Sequence, residues 1–162
     1  MDIANACPYD IDADAGFFKM RGIFGWIDCE ARANAWRAAG AQMAEAFDKA
    51  CLDCNGLDFR HAPSGLTLLG LVLTLEVGND DLDTPLLRIV LARGANPNLP
   101  IDAQGRLALH RCALEGRVDA ALLLIDRGAD PKARPSGAVS LDDMAKGGNL
   151  LARRIMQLSN EP

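Results

Sequence analysis

Four residues, Gly94-Ala95-Asn96-Pro97, return as Gly128-Ala129-Asp130-Pro131, an interval of 34 residues. Each follows an apolar run that ends in Arg-Gly: LLRIVLARG before the first and LLLIDRG before the second. Gly56-Leu57-Asp58-Phe59 is a weaker third copy, 72 residues before Gly128. Its neighbour Pro63-Ser64-Gly65 matches Pro135-Ser136-Gly137 at the same interval. A period this long belongs to a supersecondary unit. Such a unit cannot bury its apolar face alone and must stack on its own copies.

The residues between the anchors say what the unit is. Glycine at the end of an apolar helical run accepts a left-handed backbone that a side chain would strain. Asn or Asp followed by Pro then opens a turn leading away. Between successive turns the chain holds two short apolar runs parted by a glycine break, as in Gly105 to Pro131, GRLALHRCALEGRVDAALLLIDRGADP. This predicts inner helices over about Thr67 to Leu75, Leu107 to Glu115 and Leu141 to Lys146. Outer helices follow over about Thr84 to Arg93, Val118 to Arg127 and Asn149 to Leu158. Upstream, Asp28 to Cys54 is Ala-rich and lacks Pro. It reads as one or two helices capping the open end of the stack, with Trp26, Trp36 and Phe47 supplying bulk.

Leu107-Ala108-Leu109-His110 opens an inner helix, Cys112 and Ala113 take paired small positions, and Gly116 ends it. With the recurring Gly94 and Gly128 turns, this segment resembles the ankyrin-repeat family, whose box at this place is Thr-Pro-Leu-His. The resemblance implies an all-α solenoid of stacked helix-turn-helix units with a helical N-terminal cap. It is specific from about Ser64 to Met156, weak from Asp28 to Pro63 and absent before that. Residues 1–24 read as an acidic and apolar arm, 25–63 as a capping repeat, and 64–162 as repeats with a C-terminal cap. Two departures stand out. The first inner helix carries Leu68-Leu69-Gly70 in place of the box. Its repeat is also six residues longer than the next, with an acidic loop from Glu76 to Asp83. Thr84 is then an N-cap and Pro85 the first residue of an outer helix.

A chain of 162 residues suits one domain with a sizeable core. The longest apolar run, Leu66 to Leu75, is too short to cross a bilayer. The N-terminus lacks the basic-then-apolar order of a secretion signal. Five irregularly spaced cysteines suit free thiols in a reducing cytoplasm. The net charge of −5 is unevenly spread. Residues 1–83 carry 6 basic and 14 acidic side chains, and residues 84–162 carry 11 and 8. The acidic end argues against nucleic acid and for a basic protein partner.

Motifs for chemistry are weak. Cys51-Leu52-Asp53-Cys54 with His61 permits a thiol or zinc site, with Cys29 or Cys7 as a fourth ligand. Semi-buried thiols are the favoured reading. Asp10, Asp12 and Asp14 have the spacing of a calcium loop, but Gly16 falls one place late and Arg21 stands where a bidentate Glu is required. Phe17, Phe18, Met20, Ile23 and Phe24 are read as a cap that folds back on the first helix. Lys146-Gly147-Gly148-Asn149 has no preceding strand and is no phosphate loop. No catalytic residue, metal or cofactor is expected.

The resemblance implies a binding scaffold whose partner lies on the finger turns and the outward side of the inner helices. The fingers are about Asn98 to Gln104, Lys132 to Ser136 and Arg60 to Ser64. Candidate partner-binding residues are Asn98, Leu99, Ile101, Asp102, Gln104, Arg111, Leu114, Glu115, Lys132, Arg134, Asp142 and Lys146. Leu99, Pro100 and Ile101 would put apolar anchors on an exposed finger. His110 would bridge backbone groups of adjacent turns. High Ala, Arg and Gly with few Lys resembles proteins of GC-rich bacteria. Compact bacterial members of the family look like immunity proteins that occlude a toxin, or effectors, and a subunit of a larger assembly is a further alternative for this chain. Immunity is the expectation here.

Overall fold

A computed structural model describes residues 40–52, 57, 58, 60, 65–75, 85–135 and 137–161. Among these it has seven helices and no strand beyond an isolated antiparallel bridge between Arg60 and Thr67. The helices are α1 (Gly40–Leu52), α2 (Leu68–Leu75), α3 (Pro85–Ala92), α4 (Ala108–Glu115), α5 (Val118–Asp126), α6 (Leu141–Lys146) and α7 (Leu150–Leu158). All six helices expected downstream of Ser64 are present, most within a residue of their predicted ends. Thr84, the loop 76–83 and residues 1–39 lie outside the described residues, and with them Trp26, Trp36 and the apolar arm.

The helices pair as α2/α3, α4/α5 and α6/α7. Inner helix α2 lies against α4, and outer helix α3 lies between α1 and α5. Thus α1 takes the place of an outer helix ahead of the first pair. Its Phe47 and Cys51 are buried in the common core.

Sequence explains the burial. α2 reads LLGLVLTL, apolar all round, and Leu68, Leu69, Leu71, Val72 and Leu73 are all buried. α7 is two-sided. Ala152 and Ile155 are buried and Leu151 and Met156 half-buried, while Arg153 and Arg154 face solvent. That polar outer face suits the last helix of a stack. Gly94 and Gly128 close α3 and α5 with φ of +98° and +91°, the backbone region that favours glycine.

Candidate protein-interaction surface

The finger between α3 and α4 is rooted in the repeat before it. Ile101 accepts a hydrogen bond from Thr67 N at 2.9 Å through its carbonyl, and its own N–H donates to Arg106 O at 2.8 Å. A Cβ on Gly70 would lie 2.5 Å from Ile101 O and 3.2 Å from Ile101 Cβ. The bare Gly70 is therefore what lets the finger seat on α2, which accounts for the first departure from the family box. Arg60 spans the same junction, donating to Gly65 O and, at 3.0 Å, to Pro100 O.

Side chains then fasten each repeat to its neighbour. Asn98 donates its amide to Gly128 O at 3.0 Å and accepts from Asp130 N at 2.7 Å. Asp58 accepts in the same way from Asn96 N at 2.9 Å. Arg111 reaches back to Thr74 Oγ1 at 2.9 Å and pairs with Glu115 at 2.9 Å. The buried Arg117 occupies the position before the first residue of α5 and donates to Leu73 O at 2.9 Å. Asn149 caps α7 and donates to Ala113 O at 2.9 Å. One device therefore occurs twice: the residue that opens an outer helix satisfies a carbonyl near the end of the inner helix of the preceding repeat. Such carbonyls have no partner inside their own helix.

Several expected contact residues are spent in this framework. Ile101 is fully buried and packs on Gly70, so it is no exposed anchor. Asp102 is buried as well. Its carboxylate accepts from Gln104 N, Arg106 N and Arg106 Nε at 3.0, 3.1 and 2.6 Å. Asn98 and Arg111 lock repeats together. The remaining candidates stay accessible. Leu99 is 38% and Leu114 58% exposed. Gln104, Lys132 and Arg134 are exposed, and Lys146 pairs with Asp142 at 2.6 Å. Val139, 59% exposed beside the third inner helix, was not foreseen. Arg117 was also missed. Its signal was position, since it follows Gly116 as Asn149 follows Gly148.

His110 departs from expectation. It is 1% exposed, and neither ring nitrogen has a hydrogen-bond partner. The equivalent places explain the loss. Ser140 Oγ donates to Asp143 Oδ2 at 2.7 Å and accepts from Asp143 N at 3.1 Å. Thr67 Oγ1 accepts from Gly70 N at 3.3 Å. The middle repeat has Leu107 there, which carries no oxygen and offers α4 no side-chain cap. Burial holds the imidazole below its ordinary pKa, so it is neutral at pH 7. Burial likewise pushes the Cys112 thiol up to about 12, the range of an inert structural cysteine.

Among the described residues no cluster of His, Cys, Asp and Glu is arranged to hold a metal ion. Cys51 is buried, and Cys54, His61, Cys7, Cys29 and the 10–21 calcium-like segment lie outside the described residues. No described helix is long and apolar enough to cross a membrane.

Stacked helix pairs with projecting fingers, fastened repeat to repeat, define a helical-repeat scaffold. Residues 79–135 match the family model for ankyrin repeats (many copies). Ankyrin repeats are therefore present over this stretch, the described residues form an all-α arrangement, and ankyrin repeats are interaction modules that generally do no chemistry. A search of curated proteins returned no match.

Proposed function

We propose that the protein is a non-catalytic binder of another protein, acting as an immunity-type antitoxin that covers a toxin or enzyme. The observation that carries this reading is the set of side chains left over once the stack is built. Leu99, Gln104, Leu114, Lys132, Arg134 and Val139 sit on or beside fingers and inner helices, and among the described residues no interaction between repeats consumes their side chains. Apolar anchors among polar neighbours are the composition of a protein interface. The acidic balance of residues 1–83 would speed the approach of a basic partner while the apolar anchors hold it. Residence of such a protein is in the cytoplasm, where its thiols stay reduced.

The test is affinity capture from the source cell's lysate with the full chain and with Leu114→Asp plus Lys132→Glu. The expected result is one protein held by the wild type and released at least about tenfold more readily by the variant. Expression of that protein alone should be toxic, and co-expression of this chain should relieve it. Equal retention by both forms overturns the surface assignment, and a captured protein without toxicity overturns the immunity role.

A further inference from the structure

The α4/α5 repeat contains a buried polar group that its fold does not satisfy. Thr67, Asp102, Arg117 and Ser140 are the other buried polar residues described, and each makes hydrogen bonds. His110 makes none. Unsatisfied buried groups are uncommon in native proteins and cost free energy wherever they occur. A proton would turn this ring into a cation with two N–H donors.

Among the described residues nothing around His110 can receive that charge. α2, packed against α4, has no titratable side chain between Leu68 and Leu75. On α4 itself, Glu115 is taken by Arg111. At the α5 end, Arg117 is a cation held on Leu73 O, and Asp119 and Asp126 are exposed. α7 presents only Arg153 and Arg154, both exposed. In the neighbouring finger, both oxygens of Asp102 are occupied by Gln104 and Arg106. In the next inner helix, Asp143 is bonded to Ser140 and Asp142 to Lys146.

We propose that the α4/α5 repeat is an acid-opened joint: proton uptake by His110 parts this helix pair from its neighbours while α2/α3 and α6/α7 keep their structure. The direction follows from linkage. The imidazole of the unfolded chain takes up its proton near pH 6.5, and in the packed repeat burial shifts that uptake to lower pH. Stability is then complete above pH 6.5 and is lost as pH falls below it. In a repeat protein each unit contacts only its neighbours, so a local loss can stay local.

Amide hydrogen exchange of the full chain at pH 7.5 and 5.5, corrected for the intrinsic rate and resolved by peptide, reads this directly. Residues 108–126 are expected to lose protection at pH 5.5, by a factor that linkage to one imidazole caps at about tenfold, with 85–92 and 150–158 changing less. Leu107→Thr, which restores a hydroxyl beside the ring, should shrink that loss, and His110→Leu should abolish it. Unchanged protection of 108–126 in the wild type overturns the proposal. So does a loss spread evenly over all three helix pairs, or an undiminished loss in His110→Leu. If His110→Leu does not fold, the wild type and Leu107→Thr decide on the same criteria.

Discussion

The first and last inner helices open on a hydroxyl, and the middle one opens on a leucine. Thr67 and Ser140 each give a backbone N–H a partner three residues on, whereas Leu107 gives α4 none and leaves His110 unpartnered. The junctions differ in a compensating sense. The α4/α5 pair is bound backward to α2 by Arg111 and Arg117, and α4 forward to α7 by Asn149. The middle repeat thus keeps its place through its neighbours more than through its own cap. A repeat can lose a local signal and persist, because most helical stability comes from tertiary packing.

Substitutions can break this contrast, beginning with the junctions. Gly70→Ala normally gains roughly 1 kcal/mol in a helix interior. Here the added methyl meets the Ile101 carbonyl at 2.5 Å, backbone that cannot rotate away. The collision wins, and urea denaturation should show a net loss of about 2–3 kcal/mol. Arg117→Ala should come next, at about 2 kcal/mol, because it strips the Leu73 carbonyl of its donor in a buried setting. Its exchange signature should be loss of protection in α2 as well as α5.

Caps should matter less, and with opposite signs. Ser140→Ala should cost about 1 kcal/mol, and Leu107→Thr should gain about as much. Equal losses from both changes would show that the middle repeat has no missing cap. The smallest effect belongs to the exposed pair of Arg93 and Asp48, at 2.8 and 3.0 Å between α3 and α1. The guanidinium holds the Asp48 carboxyl below its usual range. That contribution is present above pH 3.8 and disappears only as pH falls through the lowered value, well apart from the His110 window. Asp48→Asn should leave the denaturation midpoint at pH 7 within the scatter of replicate curves, as exposed pairs do.

The helices were legible because turn chemistry is local. Gly94-Ala95-Asn96-Pro97 and Gly128-Ala129-Asp130-Pro131 mark helix ends without help from the rest of the fold, and Gly116 and Gly148 part the pairs. The surface was only half legible. Leu114, Lys132 and Arg134 are exposed, as residues are that stand where the repeat has no neighbour to meet. Ile101 and Asp102 were misplaced because their environment is made elsewhere. One depends on the absent side chain of Gly70, some thirty residues upstream, and the other on the way its own turn folds over its carboxylate. Periodicity says where a residue recurs, and only packing says whether it is consumed. The fate of His110 was hidden for a related reason. The box keeps Leu109 and His110, but Leu107 stands at its first position, three residues earlier, where a hydroxyl would have been the partner.

The fastening of outer-helix caps to earlier carbonyls has a direction. Arg117 reaches Leu73 and Asn149 reaches Ala113, always from a later residue to an earlier one. During synthesis the acceptors therefore leave the ribosome first and remain wetted until the donor that closes them arrives. Each unit is finished by the one translated after it. A ribosome halted before Arg117 would hold an α2 whose end still faces water, while one halted after it would hold a closed junction. Assembly of this chain is in that sense vectorial, and a truncation from the C-terminus should loosen the unit it leaves behind.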